Sequence, residues 1–129
     1  MFKNFLGWHK KKENINNNYP RPFFHEREIW FCAFSINIGF EQDGQGTDFQ
    51  RPVVIVRKFN NEICWAIPLS KTENRGQYYL AFKFIDTITS VAILSQIRLI
   101  DCKRLSRKIG DMPENIFIEL IEKLKALLP

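Results

Sequence analysis

The sequence predicts a mainly β (α+β) domain: a small curled sheet or barrel closed by one C-terminal helix, with an extra helical arm at the N-terminus. Two patterns carry this. Short runs rich in aromatic and β-branched residues are separated by turn chemistry, and a single apolar 3.6-residue period is confined to the end of the chain. Size is the third observation. With 129 residues, 45% of them hydrophobic, and only Gly 6 and Pro 6, the chain suits one core and is neither disordered nor fibrous. The longest mainly apolar run, residues 90–97, falls far short of the roughly 20 residues that span a bilayer. No apolar stretch precedes Lys10-Lys11-Lys12, so no signal peptide is read. A soluble cytoplasmic protein is expected.

Residues 2–13 set Phe2, Phe5, Leu6 and His9 at helical spacing with lysines on the other face, which predicts a short amphipathic helix lying on the body or on a partner. Residues 14–22, with Asn16-Asn17-Asn18 and Pro20-Arg21-Pro22, read as a linker. Residues 1–22 are thus an arm, and residues 23–129 the domain. The first strand is expected over residues 27–36, and Asp43-Gly44-Gln45-Gly46-Thr47 lies in a flexible polar loop. Pro52 then opens Val53-Val54-Ile55-Val56, which suits a strand buried on both faces. Asn60-Asn61 makes a turn, and residues 62–69 return as the second arm of a hairpin. Residues 77–86 alternate, residues 90–100 read as one strand, and residues 105–109 as a short one. Asp111-Met112-Pro113-Glu114 has capping-box spacing with Pro in the first turn. Ile116, Phe117, Leu120, Ile121, Leu124 and Leu127 follow a helical period, with acids early and Lys123 and Lys125 late, as the helix dipole favours.

Net charge is +5, but it is unevenly spread. Residues 1–22 hold Lys3, Lys10, Lys11, Lys12 and Arg21 against Glu13, a balance of +4, which leaves fourteen bases and thirteen acids in residues 23–129. Net charge of the body therefore argues nothing about nucleic acid; only the position of particular bases can. Cys32, Cys64 and Cys102 are odd in number, widely spaced and set in apolar runs, the pattern of buried free thiols in a reducing compartment. With His9 and His25 as the only imidazoles, no zinc site is read. No phosphate-binding glycine loop and no nucleophile elbow occurs. His25, beside Glu26, reads as a structural or exposed histidine rather than a base. Trp30, Trp65, Tyr78 and Tyr79 could stack on bases, although both tryptophans are expected mostly in the core. Lys103, Arg104, Arg107 and Lys108 form the densest basic cluster of the body. They read as a solvated strand edge or as a stripe that tracks a nucleic-acid backbone.

Glu28-Ile29-Trp30-Phe31, Gly39-Phe40-Glu41-Gln42-Asp43-Gly44 and Arg51-Pro52-Val53-Val54-Ile55-Val56 together resemble the MazF/PemK family of toxin endoribonucleases. Ala66-Ile67-Pro68-Leu69-Ser70, residues 95–101, Lys103-Arg104-Leu105 and Lys108-Ile109-Gly110 follow in the order of that family's later blocks. The resemblance covers roughly residues 26–128; the arm lies outside it.

That resemblance implies an SH3-like, CcdB/PemK-type β-barrel acting as a homodimer. It also implies metal-independent cleavage of single-stranded RNA, without a cofactor, and neutralisation by a cognate antitoxin. Without a metal, the ribose 2′-OH attacks its own phosphate and leaves a 2′,3′-cyclic phosphate and a 5′-OH end, so a site must move two protons and stabilise phosphoryl charge. By resemblance Arg51 is the catalytic arginine, whose guanidinium can fork onto two phosphate oxygens. Ser70 stands for a catalytic threonine, keeping the hydroxyl and losing a methyl. Glu41 orients Arg51 or acts as a base, while Gln42, Gln96, Arg98 and Lys71 are substrate-binding. Two departures mark this chain: the eight residues from Asp43 to Gln50 make a longer loop than the family pattern, and Ser95 replaces its acid before the Gln-Ile-Arg block. Two other readings fit the same domain: a non-catalytic RNA- or protein-binding barrel, and a topoisomerase-poisoning toxin of the CcdB kind. The Arg51/Ser70 pair argues against the latter.

Overall fold

Four consecutive branched residues cannot serve a sheet with one wet face, and the second strand shows what they require. A computed structural model describes residues 3–34, 43–44, 49–72, 74–85 and 88–129, with residues 85 and 88 described by backbone alone. In it β2 (Gln50–Lys58) lies between β1 (Glu28–Ala33) and β3 (Ile63–Ser70). Val53 and Ile55 enter one core with Phe24, Trp30, Cys32, Ala66 and Ile100. Val54 and Val56 enter a second with Ile29, Ile67, Leu69 and Leu120. Each such side chain contributes roughly 1.5–3 kcal/mol by leaving water.

The remaining strands are β4 (Tyr79–Ile85), β5 (Ile88–Ile93), β6 (Arg98–Asp101) and β7 (Leu105–Asp111). Their order is β4-β5-β3-β2-β1-β7, with β6 also on β3, and every pairing is antiparallel. Among the described residues β4 and β7 end this order, so of the expected curled sheet or barrel the structure shows an open, barrel-like sheet. The strand expected over residues 90–100 is instead two, β5 and β6, both on the same edge of β3. Leu69 pairs with Ala92 and Ser70 with Val91, whereas Ala66 pairs with Arg98. Uninterrupted pairing would set Ala66 against Ser95, so a 3-10 turn over Leu94–Gln96 takes up three residues. That offset bends the sheet at mid-β3.

The C-terminal helix α2 (Glu114–Ala126) covers the second core with Leu120 fully buried and Ile116, Phe117, Ile121 and Leu124 around it. The expected capping box does not form. β7 runs on through Asp111, whose carboxylate pairs with Lys108 at 3.3 Å, and the helix starts after Pro113 with no side-chain cap. Trp65, expected in the core, is 45% exposed. Strand alternation sends Cys64 and Ala66 inward and therefore Trp65 outward, where its ring meets Phe59 edge-on. Trp30 is buried as expected, and its indole N–H donates to Glu28 at 3.0 Å. All three cysteines are free and buried.

The N-terminal helix α1 (Phe5–Asn18) is longer than its apolar pattern suggests. Residues 14–18, expected as linker, complete it, with Asn18 Nδ2 donating to Asn14 Oδ1 at 2.7 Å. The reason is tertiary: Ile15 is 5% exposed, and its burial outweighs the few tenths of a kcal/mol that each Asn costs a helix. Pro20 then prevents continuation. The buried face is Trp8 and Ile15 against Ala33 and Phe49, while Phe5 and Leu6 stay exposed. The arm thus packs on the body, on a face its spacing did not indicate. Among the described residues no helix is long and apolar enough to cross a membrane.

Candidate active site

Arg51 opens β2 and Ser70 closes β3. Val53 pairs with Pro68 across these strands, so the same register two residues further on sets Arg51 opposite Ser70. The side chains confirm the approach: Arg51 Nη1 donates to the Leu69 carbonyl at 3.1 Å, one residue before Ser70. On its other flank Arg51 pairs with Cys32 of β1.

Arg51 is only 8% exposed. Among the described residues its partners are main-chain carbonyls: that of Leu69, and that of Asp43, which accepts from Nε at 2.6 Å. Burial pushes its pKa down and the nearby Asp43 carboxylate pushes it back up; the guanidinium remains cationic at neutral pH. A buried cation held by carbonyl dipoles keeps most of its charge available to an incoming anion. Ser70 is half-buried, and its Oγ accepts from the Thr72 amide at 3.1 Å. That bond uses a lone pair and leaves the hydroxyl proton to be donated elsewhere. Lys71 follows it, exposed.

Glu41 and Gln42 lie outside the described residues. Gln96 is half-buried in the 3-10 turn that offsets β6 from β5. Arg98, at the start of β6, pairs with Ala66 in register, so it shares a face with Ser70 four positions along β3, roughly 13 Å away. Its guanidinium lies over the Phe34 ring at 5.0 Å and donates to the Phe34 carbonyl at 3.3 Å. The register thus brings Arg51, Ser70 and Lys71 to one end of the β2–β3 hairpin and sets Gln96 and Arg98 further along the curl.

The basic cluster of residues 103–108 is not one stripe. Lys108 pairs with Glu28 and Asp111 at 3.1 and 3.3 Å, and Lys103 Nζ donates to the Asn16 carbonyl at 2.9 Å. Arg107 lies over Phe31 at 4.9 Å. Arg104 turns the other way, donating to the Ala33 carbonyl at 3.2 Å and lying over Trp8 at 5.5 Å. Burial first, and then Arg98, lowers its pKa, so Arg98 and Arg104 are electrostatic neighbours beside the end of β1. Sequence reasoning singled out Arg98 but not this partnership, because nothing in the local pattern indicates that Arg104 turns inward.

Asp43 is the second residue missed. Its carboxylate pairs with Lys3 Nζ at 2.9 Å while its carbonyl holds Arg51. His25 is exposed, with Nδ1 at 3.4 Å from Glu28, in keeping with a structural role. Burial pushes the Cys32 and Cys64 thiols up to about 12, so neither is a thiolate nucleophile at neutral pH. Among the described residues no three His, Cys, Asp or Glu side chains are grouped to hold a metal.

Residues 25–128 match the family model of the PemK-like, MazF-like toxins of type II toxin-antitoxin systems. No curated protein matches the chain. Among solved structures, MazF from Deinococcus radiodurans aligns with a TM-score of 0.64 at 16% identity, over 86% of this chain and 97% of that one. An endoribonuclease from a mycobacterial species, in complex with its cognate antitoxin, aligns at 0.63 with 16% identity, over 83% and 98%. The Mycobacterium tuberculosis toxin MazF-mt6 aligns at 0.58 with 17% identity, over 78% and 94%. At such identities the structures speak for the fold; the family match, over most of the chain, speaks for kinship.

Proposed function

The chain belongs to the PemK-like, MazF-like toxin family of type II toxin-antitoxin systems, and we propose that it is an endoribonuclease that cuts single-stranded RNA without a metal ion. One observation carries the reading: the β2–β3 register extends to bring a buried arginine, bonded to the Leu69 carbonyl, beside the strand-end hydroxyl of Ser70, with donors to spare on each. In the proposed reaction the ribose 2′-oxygen bonds to the adjacent phosphorus as the bond from phosphorus to the 5′-oxygen breaks. The 2′-proton goes to a base and the leaving 5′-oxygen takes up a proton, so the products are a 2′,3′-cyclic phosphate and a 5′-OH. Negative charge grows on the non-bridging oxygens. Arg51 meets it with the N–H groups not engaged by Asp43 and Leu69, and Ser70 with its hydroxyl proton. Glu41 is assigned to orient Arg51 or accept the 2′-proton. Gln42, Lys71, Gln96 and Arg98 are assigned to the RNA on either side of the cut.

A cognate antitoxin belongs to the same proposal, supported by the family and by the antitoxin-bound mycobacterial relative. So does a homodimer. Exposed Trp65, Phe59 and Leu99 rim an apolar groove against Phe117, Leu124 and Leu128 of the C-terminal region, and a second copy of the chain seated there would cover it. Cytoplasmic action follows from the RNA substrate.

The test is end-mapping of RNA incubated with the protein in excess EDTA. Wild type leaves cyclic-phosphate and 5′-OH ends, and Arg51→Ala loses roughly 100- to 1,000-fold in rate, as removal of one preorganised donor to a developing oxyanion does. Tight RNA binding with no cut ends supports the non-catalytic barrel instead. Unimpaired cleavage by a folded Arg51→Ala protein overturns the assignment of the site.

A further inference from the structure

Arg51 is aimed by two carbonyls of different standing. That of Leu69 belongs to β3 and is fixed by the sheet. That of Asp43 lies before β2, outside the described strands. The described parts of the loop before β2, Asp43-Gly44 and Phe49, close on each other tightly. A Cβ built on Gly44 would fall 1.7 Å from the Phe49 carbonyl oxygen, so only glycine allows the approach. Phe49 has φ 55°, an unfavourable value for a residue with a side chain, and its carbonyl accepts from the Phe34 amide at 2.9 Å.

The arm reaches both described sides of this neck. Lys3 Nζ pairs with the Asp43 carboxylate at 2.9 Å, and the Lys3 side chain is only 10% exposed. Five residues on, Trp8 packs edge-on against the Phe49 ring, centroids 5.5 Å apart. Both contacts come from residues that precede the family match, which begins at residue 25. They land on the loop that is longer here than the resembled pattern.

We infer that the N-terminal arm is a built-in brace for the arginine, with Lys3 as a positioning residue that acts on Arg51 through Asp43. The inference rests on the RNA-cleavage reading and extends it. Lys3 fixes the Asp43 carboxylate, whose own carbonyl fixes Nε of Arg51, and Trp8 holds the other side of the neck. The same pair sets a positive charge against a carboxylate that lies close enough to Arg51 to raise its pKa.

The experiment is steady-state cleavage of a short single-stranded RNA by full-length protein. Lys3→Ala lowers kcat by roughly ten- to a hundred-fold, the scale of a catalytic group displaced by part of an ångström or more, with KM changed less than about twofold. Lys3→Arg restores most of the rate. Asp43→Asn loses a similar factor, and the double variant is no slower than Asp43→Asn alone, the mark of a coupled pair. Lys10→Ala, an exposed charge on α1, is the control and leaves both constants unchanged. A Lys3→Ala defect confined to KM and shared by Lys10→Ala would mean that the arm merely attracts RNA, and unchanged or raised activity would mean that it does not brace the site; each overturns the inference. Hydrogen exchange at the Phe34 amide reads the neck without RNA. Faster exchange in Lys3→Ala at unchanged Tm, in a preparation whose wild type cuts nothing, leaves the brace standing and sinks the cleavage reading alone.

Discussion

The two helices make opposite uses of similar sequence material. α2 lays a continuous apolar stripe on the sheet: Leu120 is fully buried, and Ile116, Phe117, Ile121 and Leu124 pack half-buried beside it. α1 has apolar residues on two sides and buries only Trp8 and Ile15, leaving Phe5 and Leu6 in solvent. α2 therefore belongs to the core of the fold, whereas α1 touches the body at a few points, on Ala33 and Phe49 and beside Lys103 and Arg104. A helix that contributes little buried area adds little to stability and can still fix a local geometry.

Four substitutions sharpen or break this contrast, measured by urea denaturation of the full chain. Leu120→Ala should have the largest effect, about 2–5 kcal/mol, because it opens a cavity under α2. Trp8→Ala should cost less, roughly 1–3 kcal/mol, since its ring, although buried, packs in a small cluster apart from the two main cores; a loss equal to that of Leu120→Ala would erase the distinction. Asn4→Ala should cost about 1 kcal/mol, because Asn4 Oδ1 accepts from the Gly7 amide at 2.9 Å and caps α1. Leu6→Ala, on the exposed side of α1, should stay within about 0.5 kcal/mol of wild type; a larger loss would show that α1 is docked by the wrong face.

The helices also divide what sequence could disclose. α2 was legible because one period of six apolar residues admits one buried face. α1 was not, because Phe5 and Leu6 and the pair Trp8 and Ile15 are equally apolar, and the choice falls to a distant surface, Ala33 and Phe49. Caps misled in the same manner: the box at Asp111 was preempted by β7, and the cap that does form, at Asn4, has no partner carboxylate to advertise it. Val53 to Val56 announced a strand with two dry faces, since β-branched residues in unbroken sequence have no other home. Trp65 was misplaced because its size was weighed above its parity. Of the proposed site, Arg51 and Ser70 could be proposed only through the motifs around them; neither is distinctive alone. Lys3 carried no signal at all, for its partner lies forty residues away in sequence, and a surface lysine looks like any other until the chain folds.

Arg51 and Ser70 stand at the open end of a hairpin whose turn is at residues 60–62. Hairpins fray from that end, and a pair placed there would ordinarily separate first under thermal motion. Here both outer flanks are stitched: Cys32 of β1 is laddered to Arg51, and Val91 of β5 to Ser70. Fraying of either strand at this end therefore demands the parting of a flanking ladder as well. The resting mobility of the proposed site is that of the middle of a sheet rather than of its tip.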